Sequence, residues 1–151
     1  MPDKGVIEAF LDGLRKGWQL GVTSLLPNII MAFVAIEALK LIGVLAAIGK
    51  IFAPAMRIFG LPGEAVAVLL ASWLSGVGGA GAAASLYAEG ILSGQQLTIL
   101  APGIFLMGAQ IQYMGRVLGV AGVNRRHYKV LFLISIINAG LAMLTMRYLI
   151  V

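Results

Sequence analysis

The amino-acid sequence predicts an all-α integral membrane fold, with about three transmembrane helices, two re-entrant helical hairpins and an N-terminal amphipathic helix on the bilayer surface. Two observations predict it. The 151 residues are 60% hydrophobic and only 11% charged, with a mean hydropathy of +0.99, whereas soluble domains carry about 25% charged residues. The apolar runs also come in two lengths, some near the roughly 20 residues that cross about 30 Å of hydrocarbon and some only half that. The chain accordingly divides into an interfacial helix at 1–19 and a single membrane domain at 20–151.

Charge and inventory narrow the function. Eleven Lys and Arg against six Asp and Glu give a net charge of +5. The basic residues sit in short segments beside apolar runs and form no aromatic-interleaved surface, so nucleic acid is not an expected partner. With no cysteine and one histidine, His127, disulfides, thiolate nucleophiles and Cys/His metal sites are excluded, no cofactor is expected, and no nucleophile–base pair suggests an enzyme. Asp3, Glu8 and Asp12 fall within an amphipathic pattern instead of the basic head and short apolar core of a signal peptide, so this segment is expected to remain on the mature protein.

Along 1–19, Val6, Ile7, Phe10, Leu11, Leu14 and Trp18 recur at helical spacing with Lys4, Glu8, Asp12, Arg15 and Lys16 on the other face. That pattern suits a helix lying on the membrane, with Asp3 as its cap and Trp18 at headgroup level. The first span is 20–39, and Pro27 removes a backbone donor in its middle, which predicts a kink beside Asn28. Glu37 and Lys40 can pair at i,i+3 near the far interface.

Two apolar stretches, 41–59 and 65–74, flank Gly60-Leu61-Pro62-Gly63-Glu64. Ten residues rise only about 15 Å, so the reading is a re-entrant hairpin with its tip at 60–64, although Lys50, Pro54 and Arg57 leave open that part of the first arm lies at the interface. The small-residue run from Gly76, Gly78, Gly79 and Gly81 to Ser85 reads as close helix packing within a second crossing at 77–93. Its G-x-G-x-x-G lacks the acidic residue about 20 positions on that a dinucleotide site needs. The run 97–107 with Pro102, then Gly108-Ala109-Gln110-Ile111-Gln112, then 113–123, reads as a second hairpin. The last span is 130–151, preceded by Arg125, Arg126 and Lys129. Two full crossings between Arg15-Lys16 and Arg125-Arg126-Lys129 leave both groups on one side, predicting a cytoplasmic N-terminus and an external C-terminus.

Interrupted helices persist at membrane depth only where protein or a water-filled cavity surrounds them, and transporters use such ends to hold solutes and ions. Glu64, Gln110, Gln112 and Asn28 are the candidate substrate-binding residues, with a site expected between the 60–64 and 108–112 tips. Glu64 has the alternative of capping the following helix or lying at an interface, and the three amides that of helix-to-helix glue. Asn138 reads as interhelical glue, and Arg116 as an interface or structural cation.

Leu25-Leu26-Pro27-Asn28 with Met31-Ala32-Phe33, Gly60 to Ala65, Gly78-Gly79 through Ala84-Ser85-Leu86, and Leu106-Met107-Gly108 with Gln112 and Gly115-Arg116 together resemble the nucleoside-recognition, or Gate-domain, membrane proteins over nearly the whole length. Spore maturation proteins are more distant in this resemblance. The stretch 60–90 is also similar to the hairpin region of concentrative nucleoside transporters; Glu64 carries over, while Leu61, Pro62 and Gly63 replace the Gln and hydroxyl residue found there. The resemblance implies a protein of the bacterial inner membrane that forms part of a transport domain. It also implies a partner, a second copy or another Gate-type membrane protein, because so few elements can hardly shield their broken backbone from lipid. A transport subunit for a small polar solute, nucleoside or nucleobase-like, is the leading expectation, and an assembly or regulatory subunit with no solute of its own is the alternative.

Overall fold

The computed structural model describes residues 5–150, and the expected cap at Asp3 lies outside them. Helix α1 (Val6–Leu20), a wide turn (Gly21–Leu25) and α2 (Leu26–Leu41) form one helical path of 36 residues. The surface helix and first span expected as separate elements are thus continuous. In the wide turn the Leu26 N–H reaches back five residues to the Gly21 carbonyl, and Pro27 follows directly, in the first α-helical turn after the widening, with no N–H to give to the preceding turn. Side chains serve carbonyls around this widening: Thr23 Oγ1 donates to the Gln19 carbonyl at 2.6 Å and Asn28 Nδ2 to that of Ser24 at 2.8 Å. The disturbance expected at Pro27 is therefore a widening just before it, served by local side chains.

Gly43, at φ 75°, turns the chain into α3 (Val44–Arg57). The chain then passes through 58–64 into α4 (Ala65–Leu74), and Ser75, extended at φ −159° and ψ 125°, separates α4 from α5 (Gly76–Ala88). These two helices fold back on each other, so closely that a Cβ on Gly79 would overlap Ser72. The hairpin tip is therefore Ser75, not 60–64, and α5 is its returning limb, not a crossing at 77–93. Thirteen residues rise only about 20 Å, too little for a full span.

Helix α6 (Gly94–Met107) starts with a reciprocal Ser93–Gln96 capping box. It ends at Gly108-Ala109, where Ala109 takes the left-handed conformation at φ 55°, and α7 (Gln110–Val120) follows. Helix α7 packs on α4 and on the start of α8, scarcely on α6. The segment 94–120 is thus one interrupted path, long and apolar enough to cross, whose two helices do not fold back on each other as the expected second hairpin would. A short turn (Arg125–His127) leads to α8 (Tyr128–Ile150). Among the described residues, three stretches are long and apolar enough to cross a membrane: Val6–Leu41, Gly94–Val120 and Arg125–Leu149.

Ile36, Leu45, Val68, Leu86, Leu100 and Met143 are among the buried residues that tie α2 to α6 and α8 into one core. Glycines set the closest approaches. A Cβ on Gly81 would come within 3.0 Å of Ala32, and one on Gly103 within 2.6 Å of the Met143 sulfur, so α5 lies against α2, and α6 against α8, nearly backbone to backbone. Phe10, Trp18, Val34, Leu133 and Leu141 are exposed, as suits a surface facing hydrocarbon.

Helix α8 serves as a depth gauge. Near its C-terminus, Arg147 donates to the carbonyls of Arg57 and Ile58 and lies against Gly60; near its first third, Ser135 donates to the Leu106 carbonyl at 3.3 Å. Twelve residues of helix separate these contacts by about 18 Å. The 60–64 turn therefore lies at the Arg147 end, with Lys40, Glu89 and both ends of α3, while Ser75 and Gly108-Ala109 lie well inside the span.

Candidate functional site

Four half-helix ends meet at that inner level: the C-termini of α4 and α6 and the N-termini of α5 and α7. A Cβ on Gly108 would sit 3.2 Å from Gly76 Cα, so the two breaks touch through glycine backbone. Two long-range hydrogen bonds knit them together. The Ala109 N–H donates to the Ser72 carbonyl at 2.7 Å, and Gln112 Nε2 donates to the Leu74 carbonyl at 2.8 Å. Both satisfy carbonyls that the end of α4 would otherwise leave open inside the hydrocarbon, where each would cost several kcal/mol.

A cleft of about 950 Å³ opens beside this junction, between α2, α5 and α6. Its polar lining is Ser24, Asn28, Ser75, Gln112 and Tyr113; its other walls are mostly small, Gly76, Ala80, Ala84, Ala101 and Gly108 among them. Among the described residues, no charged side chain lines it. Ser75 Oγ accepts the Gly78 N–H at 3.2 Å and its carbonyl accepts that of Gly79, so the N–H groups of Gly76 and Val77 are the ones left at the positive end of α5. Asn28 and Gln112 each give one amide N–H to a backbone carbonyl, which leaves the second N–H as a donor and Oδ1 and Oε1 as acceptors. The cleft can thus offer donors and acceptors together at a depth where lipid offers neither.

Of the four candidate residues, Asn28 and Gln112 meet in this cleft. Gln110 sits behind it, only 8% exposed, and its Oε1 is buried without a partner, as is Nε1 of Trp73. Glu64 lies elsewhere. It begins α4 and is separated from the Leu74 end by about 15 Å of helix. Its carboxylate packs on Gly49 of α3, where an added Cβ would come within 2.6 Å of Oε1. The expected meeting of 60–64 with 108–112 is therefore replaced by a meeting of 72–76 with 108–112.

Sequence reasoning missed two residues. Ser75 carried a signal, a capping hydroxyl just before a run of small residues, but the apolar pattern on either side hid the break. Arg147 carried none, since its partners are carbonyls about 90 positions away. At the same end, Lys40 Nζ lies 2.8 Å from Glu89 and 3.7 Å from Glu37, while Ser85 Oγ donates to Glu89 Oε1 at 3.2 Å. The expected Glu37–Lys40 pair is thus part of a larger cluster.

Interrupted apolar helices gathered around an inner cleft define an all-α integral membrane protein, and the chain belongs to the Gate family, described as nucleoside recognition, whose model matches residues 22–121. Among its relatives is the inner membrane protein YjiG of Escherichia coli strain K12, 46% identical over 144 residues that cover 95% of this chain and 94% of the relative. The YjiG proteins of strains CFT073 and O157:H7 match to the same extent. No solved structure matches the chain.

Proposed function

We propose that this protein is a transport subunit of the bacterial inner membrane for a small polar solute of the nucleoside or nucleobase kind, held in the cleft beside Ser75 and Gly108. A largely apolar cleft with a few polar groups at the depth of two helix breaks is the observation that carries this reading. Its volume suits a solute of that size. An assembly subunit without a solute would be better served by breaks packed shut. No chemistry on the solute is part of the reading.

The cleft is open along one flank, with Asn28 and Gln112 facing what would otherwise be lipid, so the working form is an oligomer, either of this chain or with another Gate-type membrane protein. The N-terminus is cytoplasmic in this reading. Arg15-Lys16 and Arg125-Arg126-Lys129, five basic residues, fall on one side, against four, Lys40, Lys50, Arg57 and Arg147, at the other.

The test is a thermal-shift panel of nucleosides and nucleobases on the purified protein, alone and with a Gate-type partner, followed by uptake into proteoliposomes. A member of the panel should raise the melting temperature. Gln112→Leu and Asn28→Leu should each weaken its binding about tenfold, the worth of one hydrogen bond in a desolvated site. Glu64→Gln should change it by less than about twofold, because that carboxylate is a separate, distant group. If no solute binds and none accumulates, the transport reading is wrong.

A further inference from the structure

Among the described residues, helix α1 has none buried and packs chiefly on the wide turn that follows it. Its apolar side carries a groove that runs from Phe10 through Leu14 and Trp18 to Val22 and Leu25, built entirely from this one helical path. Among the described residues, no other element lines it. The charged residues Glu8, Asp12, Arg15 and Lys16 project, at 100° per residue, from the opposite side.

Length decides what can cover such a face. From Val6 to Leu41 the helical path measures about 54 Å, against about 30 Å of hydrocarbon. With Lys40 at the Arg147 end, the opposite edge of the hydrocarbon falls near Leu20 and Gly21. Residues 6–20 therefore begin where the membrane ends, and an upright α1 would hold Ile7, Phe10, Leu14 and Trp18 in water.

We infer that α1 docks on the bilayer surface, groove toward the acyl chains and charged face toward water, with the chain bending at Gly21–Leu25. The wide turn is suited to the bend: its ladder is already stretched to five residues, Pro27 adds no donor, and Thr23 and Asn28 hold two of its carbonyls through side chains. Two acidic and two basic residues cancel on the polar face, so docking is driven by apolar burial and not by anionic lipid. The pivot also borders the cleft, since Ser24 and Leu25 belong to both the turn and the cleft wall. The surface helix thus acts as a lever on one side of the solute site.

The full chain has no cysteine, so single cysteines can report the docking. In vesicles of phosphatidylcholine, fluorophores at Ile7→Cys, Phe10→Cys and Leu14→Cys should all be quenched by nitroxides on the lipid chains, and to the same degree. Fluorophores at Glu8→Cys and Arg15→Cys should instead be quenched by iodide in the buffer. The pattern should persist when phosphatidylglycerol or salt is added. In a Trp73→Phe background, Trp18 emission supplies a readout that leaves α1 itself unaltered and should respond to the lipid quencher. Iodide quenching all around the helix would mean an upright α1 in water, and protection from both quenchers would mean a protein occupant. Either result overturns the inference and leaves the solute reading standing.

Discussion

Gly63 meets α3 with no room for a side chain: an added Cβ would overlap the Gly49 carbonyl oxygen. Backbone cannot yield there as a flexible side chain can, so Gly63→Ala should cost about 2 kcal/mol or more and lower the melting temperature by several degrees. Gly13→Ala, with nothing within 4 Å, should cost nothing and serves as the control. Ala109 is the opposite case. It is the one non-glycine residue at positive φ among the described residues, a conformation that costs an L-residue roughly 1 kcal/mol, so Ala109→Gly should raise the melting temperature by about 2 to 4 °C. Single residues were unevenly legible. The packing role of Gly79 and Gly81 followed from their clustering, and Asn28 and Gln112 from being amides in apolar surroundings. Gln110 followed from the same rule but lies behind the cleft, because residues two apart on a helix face different ways.

Whole elements were legible by length and misplaced by punctuation. The ten-residue run Ala65–Leu74 was correctly too short to cross, and Gly60-Leu61-Pro62-Gly63 was the strongest turn signal beside it. That turn exists, but at the Arg147 end, and the fold reverses instead at Ser75, where one extended residue suffices because Gly78 and Gly79 let the returning helix close on α4. Arg147 then secures the end of α3, its guanidinium serving the carbonyls of both Arg57 and Ile58. Arg147→Ala should destabilise the protein by about 1 to 3 kcal/mol and expose the α3 C-terminus to hydrogen exchange, while Arg147→Lys should recover part of the loss, since one nitrogen, Nη1, serves both carbonyls and an ammonium can also donate twice.

On the scale of the molecule, the all-α membrane class followed from composition, and the family from short motifs spread over the chain. Three apolar spans were also expected, although the second is 94–120 and was placed at 77–93. The meeting of two interrupted segments inside the span was foreseen in kind; which two meet was not, because helix-to-helix contacts leave no periodic trace in one sequence. The account rests on water reaching that meeting point. The direct measurement is labelling of single cysteines, in intact membranes, with a membrane-impermeant charged thiol reagent. Ala80→Cys, on the cleft wall, should be labelled readily and be protected by a bound solute, and Leu133→Cys, exposed on the outer face of α8, should stay unlabelled. If Ala80→Cys is as inert as Leu133→Cys, the cleft is filled by lipid or protein, and a water-reached solute site is contradicted.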